Sequence, residues 1–326
     1  MNKPRLIFVP QLPTQMRYTE WWISAFYNNL KNYFSDIIII GEKYINDNRR
    51  NFIKDDDSSF FNSFNSLKFE TGQIDEYIDL ELKDDDILLL ADISFPGLFP
   101  NILYHKRPKK CYTICHGTSK NNLDIFEKDR SSKWKIESGN AELFDKIFVG
   151  SEYHKHKLGW HGVKVIGMPN PPFSYCCDEN KEKTIDILSV SRKCIQKVDD
   201  KIESAVEEEF GKIFRTSEDT RIPSWSMYFD TLSSAKVLLI TAREETYGYQ
   251  IIDCFKYGNG CVPLAPNQFS YPELLPDKCL YNRYDIQGLI GQIRMVLNGN
   301  FDHNIDWEKD DSLYWDRLIQ EIVCDE

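Results

Sequence analysis

The chain has 326 residues, 41% hydrophobic and 28% charged, which is enough apolar material for a packed core and excludes a wholly disordered chain. At roughly 150 residues per domain it has length for about two domains, and its longest apolar runs, 37–40 and 87–91, fall far short of the ~20 residues of a membrane span. The formal charge of −11 is uneven, net −6 over residues 1–100, +5 over 101–200 and −10 over 201–326, so the middle third is a candidate anion site within a chain too acidic for a general nucleic-acid coat.

In chain order, residues 5–10 read as a first strand and not a leader peptide. Residues 19–34 carry Trp22, Phe26, Leu30 and Phe34 at helical spacing. A second strand covers 36–41. Residues 45–70, rich in Asn, Asp, Ser and Phe, read as loop with weak helix. Strands follow at 86–92 and at 110–115, the latter ending at His116-Gly117-Thr118. The strand 145–150 leads into a helix from 151 with Ser151 as its N-cap, and a further strand covers 163–167. The prolines of Met168-Pro169-Asn170-Pro171-Pro172 then exclude both helix and central strand. Beyond them the alternation restarts. Strands are expected at 184–190, 235–241 and 261–265. Helices are expected at 198–210, 225–233, 249–257, 285–297 and 311–323, the last with Leu313, Trp315, Leu318 and Ile322 inward.

Strand–helix alternation on both sides of a proline-rich break predicts an α/β chain of two Rossmann-like doubly wound domains facing across a cleft. The expected boundaries are 1–172 for the N-terminal domain and 173–326 for the C-terminal domain. The last helix is a candidate to pack back on the first domain. Ligands of such sheets bind beyond the carboxyl ends of the strands. That singles out Asp92 and Ser94, then His116, Gly117 and Thr118, then Ser191 and Arg192, and the loop 243–248.

The nine cysteines show neither a CxxC pair nor a Cys/His spacing of a zinc site, so reduced thiols are expected. His154, His156 and His161 lie in or just after one helix and are read as surface cover and not as metal ligands. No metal site is expected.

The segment 242–274, AREETYGYQIIDCFKYGNGCVPLAPNQFSYPEL, carries most of the chemistry. Gly248 lets a ligand approach the backbone where a helix starts, and the free N–H groups there favour phosphate or developing negative charge. Glu245 can bind sugar hydroxyls, and Asp253, eight residues on, can accept two hydrogen bonds from a ribose diol. This segment resembles the nucleotide-sugar site of GT-B glycosyltransferases of the family 4 type. Their signature is E-x7-E within EGFGLxxLEAMACGxPVVA…PE. Here it reads Glu245, Tyr247-Gly248-Tyr249, Asp253, Tyr257-Gly258, Val262-Pro263 and Pro272-Glu273, with aspartate in place of the second glutamate. Upstream, Ser191-Arg192 followed by Lys197 resembles the family's strand-GR-x4-K. His116, at the end of its strand, resembles a histidine of the family that faces the donor sugar. The loop 11–17 lacks the Gly-Gly that many members carry after the first strand.

The resemblance implies a metal-independent, retaining glycosyltransferase, with no cofactor beyond a UDP- or GDP-type sugar donor. Arg192 and Lys197, with Tyr247, Gly248 and Tyr249, would hold the diphosphate, where charge-assisted contacts neutralise the leaving group. Asp253 would hold the ribose, and His116 and Glu245 would act on the donor sugar. The acceptor stays open. It can be a glycan or small hydroxylated molecule bound near Asp92, Ser94, Gly117, Thr118, Arg130 and Trp134. It can also be a hydroxymethylated base in DNA, as for phage DNA glycosyltransferases, met by the lysines and arginines of 106–135 with Trp134 stacking on the base. A non-catalytic nucleotide-sugar-binding module is the remaining alternative. The absence of a spanning segment points to a cytoplasmic protein, host cytoplasm if phage-encoded.

Overall fold

The computed structural model describes residues 3–14, 16–43, 63–93, 107–123, 130–175, 181–216, 224–302 and 312–324. Two parallel sheets organise them. The first has the strand order β2-β1-β3-β4-β5-β6, built from Arg5–Val9, Asp36–Ile39, Ile87–Leu90, Lys110–Ile114, Lys146–Val149 and Val163–Val165. The second has the order β11-β10-β9-β7-β8, from Ile185–Ser189 (β7), Phe214–Arg215 (β8), Ala235–Leu239 (β9), Val262–Pro266 (β10) and Leu280–Tyr281 (β11). Every pairing in both sheets is parallel. This is the doubly wound α/β architecture that the alternation predicts.

The sequence explains the sheets simply. Ile87–Leu90 is buried along its whole length, as is Ala235–Leu239 apart from Lys236. Strands covered on both faces need such continuous apolar runs. At the amino end of the first sheet Arg5 forks onto Asp86 at 2.9 and 2.6 Å, closing off two charges that the strands would otherwise leave unpaired.

The helices are Tyr18–Leu30 (α1), Ser63–Ile78 (α2), Arg130–Ala141 (α3), Glu152–Leu158 (α4), Asp200–Phe210 (α5), Trp225–Ser233 (α6), Tyr249–Tyr257 (α7), Ile286–Leu297 (α8) and Ser312–Val323 (α9). Helix α4 starts as expected, with the Ser151 hydroxyl accepting from the His154 N–H. Helix α2 takes up 63–70 of the stretch 45–70 that reads as loop with weak helix, and runs on to Ile78; residues 45–62 lie outside the described residues. Its inward stripe is Phe69, Gln73 and Tyr77, all buried, and Gln73 donates to the carbonyls of Pro10 and Ile40 at 2.8 and 3.1 Å. A polar residue in the stripe erased the periodic signal. Helix α3 was missed for a similar reason, since the residues it buries are Glu137 and Ala141.

The connection between the sheets is pinned by the second. The Tyr257 hydroxyl donates to the carbonyls of Pro171 and Phe173 at 3.1 and 3.0 Å. Helix α9 lies against the first sheet's side, with Trp315 and Tyr314 edge-on to Phe26 at 5.1 and 6.4 Å. Lys146 pairs with Glu321 at 2.8 Å. Among the described residues no helix is long and apolar enough to cross a membrane.

Candidate active site

The carboxyl ends of the two sheets meet, and the loop after β9 is where they join. Arg243 pairs with Asp199 at 3.2 Å, and Asp199 also takes Arg283 at 2.6 Å. Glu245 takes the Lys197 ammonium at 2.8 Å. It also accepts from the backbone N–H groups of Thr246 and Tyr247 at 3.0 and 3.4 Å. Burial pushes the Glu245 carboxyl up, but Lys197 and those N–H groups outweigh it and hold the group below the ordinary carboxylate value. Two residues selected separately from the sequence are therefore one ion pair. Lys197 therefore has an anionic partner before any ligand enters.

Gly248 opens α7 in the left-handed region, at φ +103, which side chains other than glycine rarely adopt. A Cβ there would also lie 3.3 Å from Leu274 and from Tyr271. Gly248→Ala is expected to destabilise the protein by about 1–3 kcal/mol. Urea unfolding checks this, and an unchanged midpoint would remove the backbone requirement. Tyr247 is buried against the first sheet's side, where a Cβ on Gly150 would meet its ring at 2.7 Å. Tyr249 stacks on Tyr18 at 5.3 Å.

Asp253, which the resemblance assigns to the ribose, lies on α7. It is 6% exposed and accepts from the Tyr228 hydroxyl at 3.1 Å, while Oδ1 has no hydrogen-bond partner among the described residues. Burial pushes its carboxyl up to about 7, partly offset by Tyr228 and Lys256.

Opposite this loop, His116 follows β4. Its Nε2 donates to the Ala91 carbonyl at 3.2 Å, and its ring lies between Tyr18 and Trp22 at 5.0 and 4.8 Å. Burial lowers its pKa to about 3, so the imidazole is neutral. The Thr246 hydroxyl donates to the His116 carbonyl at 2.8 Å, which places the histidine next to the loop of the other sheet. Asp92 is buried and accepts from Gln11 at 2.5 Å. Arg192 lies close enough to Tyr18 for its charge to act on that hydroxyl.

Other sequence candidates have structural partners. A Cβ on Gly117 would lie 2.8 Å from Asn121, and Thr118 is buried and accepts from the Lys120 N–H at 3.3 Å. Arg130 donates to the Lys120 carbonyl at 2.8 Å and to Asn122 at 3.2 Å. Trp134 stacks on Trp160 at 5.0 Å with the Lys120 ammonium 4.0 Å from its ring centre. Ser94, Lys106 and Lys128 lie outside the described residues. His154 corrects the surface assignment: it is fully buried, with Nε2 3.9 Å from Cys115 Sγ. Among the described residues no cluster of three or more His, Cys, Asp or Glu could hold a metal ion.

Three residues that the sequence left unremarked join the site. Tyr18 sits between His116 and Tyr249, Tyr228 holds Asp253, and Glu244 faces the first sheet's side. Only Glu244 had a local signal, since adjacent side chains of an extended run point opposite ways.

No protein-family model matches the chain. Among solved structures it is similar to trehalose-6-phosphate synthase, covering 98% of each chain at 11% identity and a TM-score of 0.57. It is similar to TarM of S. aureus, in a structure with UDP, over 77% of this chain at 14% identity and a TM-score of 0.53. It also resembles the pneumococcal O-GlcNAc transferase GtfA, in complex with UDP and GlcNAc, at 12% identity and a TM-score of 0.51 over 79% of this chain. The chain spans 56% of the TarM chain and 60% of the GtfA chain. These likenesses show that the chain has the two-domain, Rossmann-like GT-B fold.

Proposed function

We propose that this GT-B chain is a glycosyltransferase that moves a sugar from a nucleotide diphosphate sugar, of UDP or GDP type, to an acceptor hydroxyl. The observation that carries the reading is the Lys197–Glu245 pair beside the Gly248 helix start, at the carboxyl ends of the second sheet. A cation, backbone N–H groups and a sugar-binding carboxylate converge there. When a diphosphate enters, it offers Lys197 more negative charge than one carboxylate does. Lys197 then turns to the phosphates with Arg192, and Glu245 is released to the hydroxyls of the sugar. The positive charge of Lys197 and Arg192 beside the diphosphate neutralises the negative charge that grows on it as the glycosidic bond breaks, and that lowers the barrier. His116 stays neutral and lines the sugar side.

Retention of configuration and independence from metals belong to the same reading, through the resemblance of the 245–253 segment and the provision of charge by Arg192 and Lys197. Thermal-shift screening against UDP-, GDP- and ADP-sugars tests the donor. A ligand at 100 times its dissociation constant adds about 2.7 kcal/mol. Release of nucleotide diphosphate then separates an enzyme from a binding module. A panel without any shift would sink the reading. Arg192→Ala is expected to weaken UDP binding by about 10- to 150-fold, the loss of roughly 1.5–3 kcal/mol for a charge-assisted contact. Unchanged affinity by calorimetry would remove Arg192 from the diphosphate site.

For the acceptor, the structure favours a glycan or small hydroxylated molecule. Trp134, Lys120 and Arg130 already have the partners named above, and Arg107 pairs with Asp145 at 3.2 Å. Recognition of such a neutral acceptor is nearly indifferent to salt. If hydroxymethylated duplex DNA instead bound with a log–log salt slope near −3.6, as for about four phosphate contacts, the DNA reading would replace it.

A further inference from the structure

Glu244 is fully buried, yet its carboxylate belongs to the opposite half of the molecule. The Lys157 ammonium lies 2.6 Å from Oε2. The Asn122 N–H donates to Oε2 and the Tyr153 hydroxyl to Oε1, each at 3.1 Å. Lys157 and Tyr153 stand on α4, and Asn122 follows β4. The backbone of Glu244 faces the other way: its carbonyl accepts from the Lys197 ammonium at 3.3 Å, the same ammonium that holds Glu245. One residue thus grips the first half with its side chain and the donor-side cation with its main chain.

The surrounding contacts repeat the arrangement. Glu273, beyond β10, accepts from the N–H groups of Glu152 and Tyr153 at 2.7 Å each, capping α4 from the second half. The Ser151 hydroxyl donates to the Thr246 carbonyl at 2.6 Å. Helix α4 is therefore seated on the loop 244–246 at its amino end and along its side. Among these contacts the Glu244 carboxylate is the buried charge, and a buried charge without its partner is the costliest state available to the loop.

We propose that Glu244 is a positioning residue. It fixes the peptide that carries Glu245, and the carbonyl that holds Lys197, in their working geometry only while α4 is docked. The acceptor-side half thereby sets the donor-side loop. This rests on the reading of Lys197 and Glu245 as donor-site groups. The chemistry itself involves no atom of Glu244. Its role is the orientation of its neighbour, where displacement by about 1 Å can cost on the order of 100-fold in rate.

The test compares Glu244→Gln, Lys157→Met and the double variant with the wild type. Lys157→Met keeps the stem and removes the charge, and stands in if Glu244→Gln fails to fold. Hydrogen exchange across 243–247 is expected to quicken at least 10-fold in each single variant, while strands 235–239 and 262–266 exchange as in the wild type. The kcat for UDP release from a UDP-sugar is expected to fall by 10-fold or more. KM should change far less, and the double variant should be no worse than the worse single one. Lys157→Arg should restore most of kcat. Unchanged exchange at 243–247, or a lower Tm with kcat per folded molecule intact, overturns the proposal. If the wild type releases nucleotide from no donor, the transferase reading falls, and the exchange comparison alone decides whether Glu244 holds the loop.

Discussion

Replacing Lys197 by alanine is expected to cost about 3 kcal/mol of folding stability even with no ligand present, because it leaves a buried carboxylate without its cation. The Glu245 side chain is 15% exposed and that of Lys197 19%, so little water can take over the lost contact. The backbone N–H groups of Thr246 and Tyr247 remain as partners, which keeps the loss at the low end for a broken buried pair. With Lys197 taken only as a diphosphate ligand, Lys197→Ala would be a pure ligand-binding lesion that spares the fold. The structure makes it both. Glu245→Gln in the Lys197→Ala background should recover most of the stability, since a neutral amide needs no cation, but none of the UDP affinity. Urea unfolding of the two singles and the double, with calorimetry for UDP, measures both effects. Additive stability losses would show that the pair contributes nothing as a pair.

Asp253 is expected to make the protein more stable at low pH than at high pH over one defined window. Its carboxyl rises from an ordinary 3.8 to about 7, so between those values the folded state keeps a proton that the unfolded chain has released. Stability therefore falls as pH rises through that window and is flat above it. The shift corresponds to roughly 4 kcal/mol at most. Asp253→Asn removes the titration and can still accept from Tyr228. It is expected to be the more stable protein at pH 8 and to lose the slope between pH 5 and 7. Tyr228→Phe should displace the titration upward, because the phenol's hydrogen bond favours the charged form. If the proposed donor's ribose diol donates to Asp253, it favours the carboxylate too, and UDP affinity should then rise with pH up to about 7 and level. Equal stability of wild type and Asp253→Asn at pH 5 and 8 would place the aspartate in a wetter setting than the fold gives it.

The main features of the fold are legible in the sequence because they depend on short-range signals. Buried parallel strands demand continuous apolar runs, so 87–90 and 235–239 announce themselves. Helix starts carry their own chemistry, so Ser151 and Gly248 mark α4 and α7. Helix α2 escaped because its inward stripe includes Gln73, whose use depends on the carbonyls of Pro10 and Ile40, far away in the chain. His154 was misplaced on the surface because Lys155, His156 and Lys157 follow it in its helix, and nothing local says which side of a short helix meets a sheet.

The candidate site divides in the same way. The order Arg192, Lys197, Glu245, Gly248, Asp253 and the strand end at His116 follow from the sequence alone, since loops after parallel strands lie at one edge of the sheet. What the tertiary structure decided is whom each charge meets. Glu244 and Glu245 are the same residue type side by side, yet one binds Lys157 across the cleft and the other Lys197 on its own side. Asp253 has the spacing of a ribose ligand but is shorter by one methylene, and it rests against Tyr228. Partner choice and burial are set by elements well separated in the chain, as with Lys157 for Glu244 and Tyr228 for Asp253. No spacing within a motif encodes them, and the protonation state of each group follows from that packing.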